Sequence, residues 1–336
     1  MSGVLIRPLG LLLLFSLACG VADAGNPKSK TESALAPTPL VAQSETTTAI
    51  RAFGAWGPAQ CDVDGNLYYH SGFTYQDAVV FKVRREDTPI VYHPAAKNAD
   101  DESFVGFYVG RNGELWLLTA REQELYLLEA GDDPASFRRT KLETPRGAGP
   151  DTVREFVVSS NGTSLLEGYF DSTATNGNRG HGYFLRFDAS GNLLQTSATQ
   201  VSDAVVKLAS QTFVGASVAS GSDGLNYFLS PDQVIVTSQA GEIVRRLKLH
   251  PPEIGMEPSQ IAASGSKLLV AFIKPTEVTD NLTEYELLDP VTGEQLRRYV
   301  TTPQVGNNLA CFSDEGLTFY RVNKEGFVVL ATVPVQ

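Results

Sequence analysis

The chain has 336 residues, with 27 Lys and Arg against 38 Asp and Glu, for a net charge of −11. That acidity opposes a phosphate backbone, so nucleic acid is not an expected partner. A hydrophobic share of 42% with 30 Gly and 18 Pro fits a folded chain rich in turns, and beyond the N-terminal leader no apolar run approaches the roughly 18 residues of a membrane span.

Residues 1–24 read as a secretory signal peptide. Arg7 supplies the charge, "LGLLLLFSLACGVADA" is too short an apolar run to span a bilayer, and Ala22-Asp23-Ala24 is an A-x-A cleavage signal. Cys19 opens a lipid-anchored alternative, although a lipobox places Leu three residues before the Cys and this chain has Ser16 there. Residues 25–45 are rich in Pro, Ser, Thr and Ala without apolar periodicity, which predicts a disordered linker.

From residue 46 to 336 a polar turn ending in Gly recurs, at Gly65, Gly113, Gly162, Gly224, Gly265 and Gly316, with spacings of 48, 49, 62, 41 and 51. Each turn is followed by a short apolar or alternating segment such as "ELWLLTA" or "LTFYRV". Repeats of 40–50 residues made of short strands predict an all-β fold, a β-propeller of six four-stranded blades. A second turn series, at Gly191, Gly241 and Gly293, fits the hairpin between the third and fourth strands of a blade. "RRL" and "LRRY" then place charge on outer edge strands, where it discourages sheet pairing. Repeat four carries an extra stretch, "VSDAVVKLASQ", with no assigned place.

The sixth repeat stops after three strands, and "TTTAIRAF" at 46–53 is the expected fourth, closing the ring with an N-terminal strand. Cys61 and Cys311 stand four and five residues before their turn glycines, on inner strands of the first and last blades. In an exported chain this isolated pair predicts a disulfide across the seam, the alternative being two buried thiols.

"GPAQCDVDGNLYY" and "EPSQIAASGSKLLV" each place Pro seven residues before the turn Gly (Pro58 to Gly65, Pro258 to Gly265). The phrase resembles the inner-strand pattern of six-bladed NHL-type and TolB-like propellers, and the resemblance covers most of 46–336; repeats three and six lack the Pro. It implies a fold and not an activity.

The resemblance also implies that the loops between second and third strands, and between blades, gather on one face. Two of these are long, "FDSTATNGNRGHGY" and "IKPTEVTDNLTEY", making Asp171, Asn176, Asn178, Arg179 and His181, then Lys274, Glu277 and Asp280, the ligand-contact candidates. The starts of the inner strands supply channel candidates Gln60, Glu102, Glu155, Gln260 and Asn308. In gluconolactonase-like and paraoxonase-like propellers such residues hold a divalent cation, and Glu155 and Asn308 are two candidate ligands for one. A hard cation wants six or more oxygens, and that set is not legible here.

Other motifs fail on geometry. The four His are not clustered, "GASVA" around Ser217 lacks the helix of a nucleophile elbow, and "DVDGN" carries Gly at position four where a calcium loop needs it at six. Two expectations follow. The leading one is an exported, non-catalytic propeller that needs no cofactor and binds a protein, peptide or saccharide through its loop-rich face. The alternative is a metal-dependent lactonase-like hydrolase or lyase working in the channel.

Overall fold

Positive backbone φ at the turn glycines, such as +75° at Gly65 and +87° at Gly113, lets the chain reverse within a few residues, and between such turns lie strands. A computed structural model describes residues 35–51, 59–71, 79–84, 87–94, 102–171, 173–174, 180–199, 217–274 and 283–335; these lie in one compact unit, Leu35–Gln336. No helix occurs among them.

The N-terminal strands are β1 (Thr38–Pro39) and β2 (Ser44–Arg51). Blade one is β3 (Ala59–Cys61), β4 (Leu67–Ser71), β5 (Val79–Val83) and β6 (Ile90–Tyr92); blade two is β7 (Glu102–Val109), β8 (Leu115–Arg121), β9 (Glu124–Ala130) and β10 (Phe137–Lys141). Blade three is β11 (Val153–Val158), β12 (Ser164–Tyr169), β13 (Gly182–Phe187) and β14 (Leu193–Thr199); blade four is β15 (Val218–Ser220), β16 (Leu225–Leu229), β17 (Gln233–Ser238) and β18 (Ile243–Lys248). Blade five is β19 (Glu257–Ser264), β20 (Lys267–Ile273), β21 (Glu284–Leu288) and β22 (Gln295–Val300), and blade six contributes β23 (Asn308–Ser313), β24 (Gly316–Val322) and β25 (Phe327–Val333). Every blade is an antiparallel meander, so the fold is the expected six-bladed β-propeller.

Blade six takes its fourth strand from β2, which pairs antiparallel with β25 from Ser44↔Thr332 to Arg51↔Phe327. Thr48 fixes the irregularity in that ladder, donating to the Val328 carbonyl at 2.9 Å and accepting from the Ile50 N–H at 3.2 Å. Cys61 and Cys311 form the expected disulfide between β3 and β23, with Cα atoms 5.4 Å apart.

Residues 35–43, within the stretch read as a linker, lie on blades five and six. β1 runs parallel to β22, Leu40 donates to the Val300 carbonyl at 2.8 Å, and its side chain is buried. One apolar residue and a few backbone bonds suffice to dock this polar stretch, and composition does not register them. Arg298 also departs from expectation: it is buried, ion-paired with Glu284, and donates to the Leu35 carbonyl at 3.2 Å, so it holds β1 in place and is not a charge on an open edge.

Middle strands are buried on both faces because blades stack sheet against sheet, which explains why β8 reads "LWLLTAR" with burial at all but its last residue. Aromatic pairs mark the seams. His70 stacks on Phe104 between blades one and two, Phe184 meets Phe228 between three and four, Tyr285 meets Phe319 between five and six, and Tyr69 meets Tyr320 between one and six.

Candidate functional site

In a meander successive turns alternate between the two ends of the sheet. The glycine turns between first and second and between third and fourth strands therefore share one face, and the remaining loops, with the connections between blades, share the other. The described candidates divide sharply by role on this second face. Asn176, Asn178, Arg179, Glu277 and Asp280 lie outside the described residues, as does the extra stretch 201–211.

Gln60 is a seam residue. Its amide donates to the Phe107 carbonyl at 2.9 Å and accepts from the Val109 N–H at 2.8 Å, so blade one pairs with the inner strand of blade two through a side chain acting like a peptide unit. Gln260 repeats the device from blade five to blade six, donating to the Leu309 carbonyl at 2.7 Å. Glu155, 1% exposed, accepts from the Ser217 N–H at 2.9 Å and joins blades three and four. Glu102 is also buried, but inside its own blade, accepting from Thr119 at 2.7 Å and pairing with Arg139 at 2.6 Å. Asn308 is exposed at the start of β23.

The loop candidates also shape their surroundings. Asp171 accepts from both the N–H and the hydroxyl of Thr173 at 2.7 Å, bonds that hold its carboxyl below the usual range, and its own N–H reaches the Gly147 carbonyl at 2.8 Å. At Gly147 a Cβ would sit 2.6 Å from the Ala174 side chain, so only glycine lets the loop before blade three approach the one within it. His181 is exposed and its carbonyl accepts from Phe170, closing the base of that loop. Lys274 pairs with Glu253 at 2.6 Å, joining two loops next to blade five.

A small cleft that sequence reasoning passed over lies on the same face, where blades three, four and five meet. Arg154, at the start of β11, lines it together with Ser217, Leu229, Ser230, Pro231, Pro258 and Ser259, and its volume is about 10 Å³, room for about one water. Arg154 is 8% exposed, and its Nε and Nη1 form no hydrogen bond among the described residues. Its ion-pair partner Glu167 stands 3.7 Å away, has a second oxygen that is likewise unbonded, and is pushed by burial toward the neutral form against the pull of Arg154. The sequence signal was "VREF", two adjacent charges in an otherwise apolar inner strand. Elsewhere Ser220 donates to Asn226 at 2.8 Å and receives the Tyr108 hydroxyl at 2.9 Å, a polar link from blade two to blade four.

No cluster of three or more His, Cys, Asp or Glu suited to a metal occurs among the described residues, and no helix there is long and apolar enough to cross a membrane. No protein-family model and no curated protein matches the chain. Solved structures do. A regucalcin from Agrobacterium tumefaciens, described as a calcium-binding protein, shares 10% identity with a TM-score of 0.51, covering 90% of this chain and 98% of its own. A luciferin-regenerating enzyme shares 10% identity with a TM-score of 0.51, over 87% of this chain and 97% of its own. A protein of unknown function from Bacteroides caccae shares 13% identity with a TM-score of 0.44, over 77% and 83%. At 10% identity the likeness to the regucalcin and the luciferin-regenerating enzyme is one of fold, and the propeller is what it supports.

Proposed function

We propose that this chain is an exported, non-catalytic propeller that binds a protein, peptide or saccharide through the face carrying its inter-blade connections. The observation that carries the reading is how the polar groups at the starts of the inner strands are used. Gln60, Glu155 and Gln260 bond to the inner strands of neighbouring blades or the residue leading into one, so they rigidify the ring, while the strand ends that the two long segments connect, at Tyr169 and Gly182 and at Ile273 and Glu284, lie on the same face. The Cys61–Cys311 disulfide agrees with an oxidising compartment and hence with export.

The test is binding of the mature protein to glycan and peptide arrays, with a variant in which residues 172–179 and 275–282 are replaced by Gly-Ser stretches of equal length. Saturable binding by the wild type that the variant loses, with an unchanged melting temperature, is the expected result. A Ca²⁺- or Mn²⁺-dependent rise in melting temperature reversed by EDTA, together with lactone or ester hydrolysis, would overturn it in favour of the metal-assisted hydrolase.

A further inference from the structure

We infer that the outer edge of blade five is an acceptor groove for an extended, proline-containing peptide, held shut by the chain's own residues 35–43. The inference goes beyond the loop-face reading above and does not depend on it. Among the described residues, blades one to four end at their fourth strands, whereas the sheet of blade five continues: β1 adds parallel to β22 over Thr38↔Tyr299 and Pro39↔Val300. Strand addition at a sheet edge is a general mode of peptide recognition, in which backbone bonds give affinity and side-chain pockets give specificity.

The docked segment shows what the groove reads. The Leu40 N–H donates to the Val300 carbonyl at 2.8 Å and the Thr302 hydroxyl donates to the Leu40 carbonyl at 3.1 Å, so both main-chain groups of one residue are held. Arg298 Nη1 donates to the Leu35 carbonyl at 3.2 Å, five residues upstream. The Leu40 side chain is buried in a cluster with Leu287, Tyr299 and Val305. Between these two anchors "LAPTPL" places Pro37 and Pro39 two residues apart, which extends the chain in advance and lowers the entropy lost on docking. The groove therefore selects an extended chain with one aliphatic side chain following prolines.

The resident segment is lightly held. Its ladder spans two residues, against the Ser44–Arg51 span of β2 on blade six, and apart from Leu40 and half-buried Ala42 its residues are exposed. So few contacts place its opening at the low end of the free energies within one fold. A short tether holds it at an effective concentration of about millimolar, so docking in cis implies a Kd below that value for the same sequence as a free peptide. An outside peptide meets the groove closed by this competition, and open once residues 35–43 detach.

Fluorescence anisotropy with a labelled synthetic peptide of residues 35–43 tests the inference on the full mature protein. Leu40→Asp puts a charge into the apolar cluster and frees the groove, so this variant is expected to bind the peptide saturably, and the wild type to bind it at least about tenfold more weakly. A peptide carrying the same Leu40→Asp change is expected to bind neither protein. The inference falls if the variant binds no better than the wild type, or if the altered peptide binds as well as the native one. Should the Leu40→Asp protein not fold, hydrogen exchange on the wild type decides. The Leu40 amide is then expected to exchange at least about a hundredfold faster than the amides of β24, and equal rates would overturn the inference.

Discussion

Glu286 shows what a blade interior does to a single ionisable residue. It lies 3% exposed on β21, and burial pushes its carboxyl up to about 7, a rise that neighbouring Arg298 only partly offsets. The folded state therefore holds this proton more tightly than the unfolded chain, whose carboxyl titrates near 4.5. Between those values the native state binds the extra proton, so stability falls as pH rises through the window, and the penalty is complete above 7. Glu286→Gln should consequently raise the melting temperature by several degrees at pH 8 and by much less at pH 5; an equal gain at both would show that ionisation is not the cause. The amide of Gln295, which donates to Glu286, is kept as a partner in the variant.

The same scale explains where the inner-strand candidates reach. The side chain five residues before a turn glycine enters the next seam: Gln60, Gln260 and Cys311 each do so, and Tyr108 at the equivalent place reaches on to Ser220. A polar residue at the start of an inner strand reads as channel-facing when only alternation is known. Pairing register and a bulge, such as the shift between Pro258 and Gln260, decide which way it turns.

At the scale of elements, β2 shows how much closure depends on a few bonds. Its ladder to β25 shifts register between Thr47 and Arg51, and the buried Thr48 hydroxyl satisfies both an N–H and a carbonyl near that break. Thr48→Val keeps the shape and deletes the hydroxyl, which should cost about 1–3 kcal/mol. A urea unfolding midpoint that does not move would show that solvent or another group replaces it. Outer strands elsewhere are exposed and charged, as in β10 with Arg138, Arg139 and Lys141, whereas β22 is covered by β1. The difference lies in Leu40, which buries against blade five, and in the Leu35 carbonyl held by Arg298.

For the whole molecule, two links tie the chain ends into the ring, the β2–β25 ladder and the disulfide at a separation of 250 residues. In the chain-entropy picture a cross-link over so long a loop contributes about 5 kcal/mol by restricting the unfolded chain. Replacing Cys61 and Cys311 together by Ala should lower the melting temperature by roughly 10 °C, and reducing agent should reproduce the loss in the wild type. No loss in either experiment would mean that the ladder and the aromatic seam of Tyr69 and Tyr320 hold the ends without it.

The repeat of turn glycines, the truncated sixth repeat and the paired Cys phrases determined the blade number, the borrowed strand and the disulfide from sequence alone. Those features are local or periodic, and a ring of identical modules leaves little else to choose once its period is known. The tertiary structure decided the rest. Seam and channel are both lined by inner-strand side chains that differ only in register, and the Arg154 cleft joins residues from three blades, between 154 and 259 in the chain. No local pattern records that meeting, because it exists only when the stacked blades bring those strand ends side by side.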